Sequence, residues 1–127
     1  MAAAFRKAQA TLDGFLEIAK RPTPNLASIS LKVGISDGPY TEYFWVIPFK
    51  AEADGFSGTL NNEPRVVRNA RLGQILRFKR SDVVDWMYFD TEKNRMYGNY
   101  TACALLTQES PAERAKFMKE NGLKCDD

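Results

Sequence analysis

The sequence predicts an α+β domain: one curved antiparallel sheet of five or six strands, packed by an N-terminal amphipathic helix and a C-terminal helix. Three observations carry this expectation. Apolar residues recur at spacings of three and four over residues 2–20, then at spacings of two from Ser28 onward. Turn residues then interrupt short apolar runs as far as residue 98, and a capped helix pattern closes the chain.

In residues 2–20, Phe5, Ala8, Leu12, Phe15, Leu16 and Ala19 form one stripe of a helix. Pro22 and Pro24 end it, because each lacks a backbone donor and restricts the residue before it. Ile29, Leu31, Val33 and Ile35 alternate with Ser28, Ser30, Lys32 and Gly34, the pattern of a strand with one wet face. Asp37-Gly38-Pro39 turns the chain, and residues 41–49 return as a strand. Tyr43, Trp45, Ile47 and Phe49 fall on one face of it, Phe44 and Val46 on the other. An interior strand covered on both faces is therefore expected, with Pro48 marking where its ladder ends or bulges. Both Trp45 and Trp86 are expected in the core.

Asp54-Gly55 opens a short strand over residues 56–60, which Asn61-Asn62-Glu63-Pro64 closes. Val66 and Val67 fall in a connection or a short helical turn. Residues 75–78 and 83–89 read as strands, and residues 95–98 complete a hairpin around Thr91-Glu92-Lys93-Asn94. Residues 101–107 fit a helical turn or a strand equally well. Ser110 and Glu113 have capping-box spacing, Pro111 takes the first helical position, and Gly122 suits a left-handed helix end.

At 127 residues the chain is expected to form a single domain, 1–127, with one core. Its 18 basic and 16 acidic residues leave a net charge of +2, too weak a field to recruit nucleic acid. The densest basic stretch is Arg65, Arg68, Arg71, Arg77, Lys79 and Arg80, which reads as a solvated surface before an anion-binding face. No run approaches the length that spans a bilayer. Residues 1–7 lack the order of a signal peptide, so either the protein is cytoplasmic or an export segment was removed. Two cysteines without histidine cannot build a four-ligand zinc site, and no metal or cofactor is expected. Cys103 and Cys125 either form a disulfide, stabilising by roughly 3 kcal/mol, or remain a buried and an exposed thiol. The compartment decides between them.

The absence of histidine removes the commonest general base and the usual nucleophile triads. Glu42 and Asp85, each close to a tryptophan, are the best carboxylate pair for acid–base work. The competing reading makes Asp85 a structural acceptor for backbone or indole donors, and Glu42 a surface strand residue. Asn99, Tyr100 and Thr101 could line a polar ligand groove beside Asp85, or form a tight turn that caps a helix. Asn61, Asn62 and Glu63 are a turn that could serve as an interaction loop.

Several ordered motifs resemble the YegJ-like bacterial proteins, domain of unknown function 2314. They are Ala8-Gln9-Ala10-Thr11-Leu12 with Phe15, Glu42-Tyr43-Phe44-Trp45-Val46, and Gly58-Thr59-Leu60-Asn61-Asn62-Glu63-Pro64. Gly73-Gln74, Asp85-Trp86-Met87-Tyr88 and Gly98-Asn99-Tyr100-Thr101 complete the set, over nearly the whole chain. Tyr43 stands where that family often has histidine, so any chemistry of that histidine is absent here. Many members look exported or lipid-anchored, which implies a periplasmic setting with a trimmed leader and favours the disulfide. The family name implies a fold and no activity. The function expected is a non-enzymatic binding or protein-interaction domain whose partner is another protein or an envelope component. The alternatives are a histidine-free hydrolase using Glu42 and Asp85 in an aromatic groove, and an immunity-like protein that binds a toxin.

Overall fold

A computed structural model describes residues 1–125. Its elements are α1 (Ala2–Lys20), β1 (Leu26–Asp37), β2 (Tyr40–Glu52), β3 (Gly55–Leu60), β4 (Ile75–Phe78), β5 (Val83–Asp90), β6 (Arg95–Gly98), α2 (Tyr100–Leu106) and α3 (Pro111–Asn121). A single 3-10 turn, Arg80–Asp82, precedes β5. The strands form one open antiparallel sheet in the order β4-β3-β2-β1-β5-β6. By internal contacts the chain divides into two units: Met1–Ile29 with the chain from Asp85 on, and Ser30–Val84.

In the first unit, α1 buries Ala8, Leu12 and Phe15 of the expected stripe together with Ala4, while Phe5, Leu16 and Ala19 are half-buried at its margins. Phe15 stacks on Trp86 of β5 at 4.9 Å between ring centroids, and Trp86 continues to Tyr88 at 6.0 Å. Tyr88 in turn stacks on its cross-strand partner Tyr97 at 5.0 Å. Residues 101–107, which suit either a helix or a strand, contribute to α2. Ser110 caps α3 by accepting the Glu113 amide at 3.2 Å, and Gly122 ends it with φ +64°. α3 buries none of its side chains. The chain beyond it is held instead: the Gly122 carbonyl accepts the Met96 amide at 2.8 Å, and Leu123 is buried beside β6. Cys103 and Cys125 are joined as a disulfide, with Cα atoms 5.5 Å apart across 22 residues.

In the second unit, β1 and β2 form a hairpin through Gly38 and Pro39, with Asp37 opposite Tyr40. Gly38 has φ +59° and proline follows with its ring-restricted negative φ, the sign pattern of a type II′ turn. Phe44, Leu60, Val67 and Ala70 form one core cluster, flanked by Ile35 and Leu76, and Leu31, Val33, Val46 and Phe56 are also buried.

Two expectations for β2 need correction. Tyr43, Trp45, Ile47 and Phe49 do not share a face. Val46 pairs with Leu60 and Phe49 with Gly58, so β2 has one extra residue in that interval. This bulge at Ile47-Pro48 reverses the alternation, and Phe49 joins the face of Val46. It meets Phe56 edge-on at 6.5 Å, and Phe56 stacks on Phe78 at 5.6 Å. Trp45 is not a core residue either. It is half-buried with the Lys32 ammonium 5.5 Å from its ring centroid, and its neighbour Tyr43 is 43% exposed. Phe44 and Val46, on the opposite face, are the buried pair.

Candidate functional site

Two carboxylates organise the residues singled out by the sequence, one in each unit. Asp85 opens the first unit's part of β5 and is fully buried. One oxygen accepts the amides of Trp86 at 2.8 Å and Tyr100 at 3.2 Å. The other accepts the Thr101 amide at 2.9 Å and the Thr101 hydroxyl at 2.7 Å. Tyr100 and Thr101 are the first two residues of α2, whose leading amides have no partner within the helix. The residue before the helix, Asn99, is left-handed (φ 55°) and forms no side-chain cap. Asp85 therefore caps α2 from a strand. Burial pushes its carboxyl above the usual aspartate range, against the four donors that favour the charged form.

The neighbours of Asp85 serve the same junction. Gly98, with φ +77°, lets the chain pass against Trp86, where a Cβ would strike the Trp86 carbonyl and ring. The Trp86 indole N–H donates to the Thr11 hydroxyl at 3.0 Å, and that hydroxyl donates to the Lys7 carbonyl at 2.9 Å. Tyr100 packs edge-on to Trp86 at 5.7 Å. The Asn99 side-chain amide lies 3.3 Å from the Met96 sulfur. Thr11 was not singled out by sequence reasoning as a site residue. Its place in the motif with Leu12 and Phe15 was the available signal.

Glu42 lies on β2 in the second unit, half-buried. Its carboxylate accepts three successive amides: Arg65 at 3.0 Å, Val66 at 2.8 Å and Val67 at 3.1 Å. Desolvation opposes ionisation, but the amides of Val66, Arg65 and Val67 outweigh it and hold the carboxyl below the usual glutamate range. Glu42 is thus a loop anchor and not the simple surface strand residue expected of it. Other side chains act likewise on the same loop. Asp37 accepts the Arg68 amide at 2.9 Å, Asn69 donates to the Ser36 carbonyl at 2.9 Å, and Asn62 accepts the Trp45 amide at 2.7 Å. Asn61, Asn62 and Glu63 are all exposed, and the Asn61 amide donates to the Trp45 carbonyl at 3.0 Å.

The basic stretch does not make one site. Arg65, Arg68 and Arg71 are exposed on the 61–74 loop, while Arg77 and Lys79 share a recess with Glu52, Asp54 and Asp82. Among the described residues, no group of cysteine and acidic side chains is arranged to hold a metal ion. No helix among them is long and apolar enough to cross a membrane.

Fold and motifs together define a small α+β protein of a bacterial family. The model of the family described as "Uncharacterized protein conserved in bacteria (DUF2314)" matches residues 1–125, and the chain belongs to that family. It is 31% identical over 123 residues to "Uncharacterized protein YegJ" of Escherichia coli (strain K12), covering 94% of this chain and 78% of that protein. No solved structure matches. The motifs behind the resemblance gather at the two carboxylates: Thr11, Phe15, Trp86 and Gly98 around Asp85, and Asn62 with the 61–74 loop around Glu42.

Proposed function

We propose that the protein is a non-enzymatic binding domain that presents the 61–74 loop to another protein or an envelope component. The observation that carries this reading is the anchoring of that loop. It has no regular secondary structure over 14 positions, a length at which loops in compact domains are usually functional or disordered. Yet Glu42 takes three consecutive amides, Asp37 a fourth, and the loop's own Val67 and Ala70 are buried in one cluster with Phe44 and Leu60. Loop ordering is a cost of association, and here it is met during folding. The outward side chains suit recognition: Val66 is 51% and Leu72 55% exposed, interleaved with Arg65, Arg68 and Arg71. Asn61, Asn62 and Glu63 form the exposed lead-in to this surface. An extracytoplasmic setting is supported by the Cys103–Cys125 disulfide, since oxidising compartments preserve such bonds.

The hydrolase reading has less support. Both oxygens of Glu42 accept backbone amides, and Asp85 has no solvent-accessible surface from which to meet a substrate. The immunity-like reading is one version of the binding role, with a toxin as partner; a toxin encoded beside the gene would favour it.

The test compares the intact chain with a Val66→Asp, Leu72→Asp double variant. Partners are captured from extracts of the native bacterium by cross-linking, and the captured protein is purified. The expected result is a saturable complex that the double variant weakens at least about tenfold while its circular dichroism is unchanged. Equal affinity for both proteins would remove the loop from the reading.

A further inference from the structure

We propose that Cys103–Cys125 is a redox latch, which a dithiol reductant opens to release α3 and the chain after it from the outer edge of β6. The proposal begins from how α3 is held. Its 11 residues fall short of the length, about 12–15, at which even good helix formers are marginal alone in water. None of its side chains is buried, and Phe117 is 38% exposed. Between the two cysteines only Leu106 and Leu123 are buried, and Leu106 belongs to α2. Attachment therefore falls to the chain that follows the helix. The Gly122 carbonyl accepts the Met96 amide at 2.8 Å, Leu123 pairs with Met96 at 2% exposure, and Cys125 is bonded to Cys103 in α2.

This attachment covers a strand edge. β6 is an outer strand of the sheet, and the Met96 amide that leaves it is taken by Gly122. Uncovered strand edges are pairing sites, which proteins commonly hide. The bridge fastens the cover at its far end. Closing a loop over a separation of 22 residues favours the closed arrangement by about a hundredfold. Without the bridge, one fully buried side chain and one hydrogen bond to β6 remain to order residues 111–124.

The bridge can also be reached. Cys103 and Cys125 are both half-buried and line a cleft of about 170 Å³ with Ala3, Lys7 and Tyr100. One thiolate of the dithiol attacks a bridge sulfur, forming a mixed disulfide and expelling the other cysteine as a thiolate that takes up a proton. The second thiolate of the reductant then displaces the remaining cysteine, which is protonated in turn. Two electrons and two protons pass to the protein, and the reductant leaves as its own disulfide.

The competing account makes the bridge a permanent staple of the whole first unit. A staple of that kind would enclose much of the unit's core. Here Phe15, Trp86, Tyr88 and Tyr97 of the aromatic stack lie outside residues 104–124, and so does the Asp85 anchor with Thr101.

The experiment compares the full chain, oxidised and after dithiothreitol, without denaturant; thiol titration reports opening of the bridge. Backbone amide spectra and tryptic cleavage at Arg114, Lys116 and Lys119 are followed in both forms. The proposal expects reduction of the folded protein, loss of helical shifts over residues 111–121, a displaced Met96 signal, and unchanged signals in α1 and β5. Cleavage in α3 should accelerate by at least about tenfold, and reoxidation should restore resistance. A Cys103→Ser, Cys125→Ser variant should be cleaved at the faster rate with or without dithiothreitol. Should that variant fail to fold, the two forms of the wild type decide the matter alone. A bridge that opens only in denaturant overturns the proposal, as does an acceleration smaller than about tenfold. Collapse of the α1 and β5 signals on reduction also overturns it, in favour of the staple. No residue of the 61–74 loop takes part, so this proposal and the loop-binding reading fail independently.

Discussion

Asp85 and Glu42 perform the same local task in surroundings that differ in water. Each carboxylate leaves its strand to accept amides from a segment distant in sequence, Asp85 from the start of α2 and Glu42 from the 61–74 loop. Asp85 does so with no exposed surface, and burial raises its pKa despite four donors. Glu42 does so half in solvent, and three amides prevail over desolvation to lower its pKa. The difference is that hydrogen-bond count alone does not set the direction in which an anchoring carboxyl's pKa moves; access to water weighs against it. It also separates roles. A dry anchor fixes a helix inside a unit, whereas a wet one can hold a surface loop in place for a partner.

The largest expected effect is in the surroundings of the dry anchor. Trp86→Ala should cost about 3–5 kcal/mol, because it removes the ring between Phe15, Tyr88 and Tyr100. Trp45→Ala, on the wetter face of β2, should cost less than about 1 kcal/mol; urea midpoints give both values. Asp85→Ala should cost roughly 3 kcal/mol, since it strands the Thr101 hydroxyl and the first amides of α2. Opening the Cys103–Cys125 bridge with a serine pair should cost about 2–4 kcal/mol in thermal unfolding, with no change in Glu42 loop protection. The smallest global effect is expected from Glu42→Gln. Its signature is local: faster hydrogen exchange at Arg65, Val66 and Val67, with amides of α2 unchanged. Equal acceleration in both places would erase the distinction between the two anchors.

Much of the fold was legible because it rests on short-range patterns. The α1 stripe, the Gly38-Pro39 turn, the hairpin around 91–94 and the Ser110 cap each arise within a few residues. The reading of β2 failed where one inserted residue reversed the face of everything after it, and Pro48 signalled only that something ends or bulges there. Trp45 was misplaced because apolar alternation does not say which face is covered. At the sites, Asp85 before Trp86 could be recognised as an acceptor, and Tyr100 and Thr101 as the start of a helical turn. Glu42 could not be linked to Arg65, Val66 and Val67, since no periodicity relates residues more than 20 positions apart across an irregular loop.

Linkage between protonation and folding tests the comparison most directly. Glu42 has a lowered folded pKa, so its contribution is complete above the ordinary glutamate range and lost as pH falls through the lowered value. Asp85 has a raised folded pKa, so its contribution is complete below the ordinary aspartate range and lost as pH rises through the raised value. Urea unfolding of the wild type, Glu42→Gln and Asp85→Asn should be measured at closely spaced pH values from about 3 to about 8. The stability difference between wild type and Glu42→Gln should shrink toward acid, and that between wild type and Asp85→Asn should shrink away from it. Two differences that move in the same direction with pH would contradict the account.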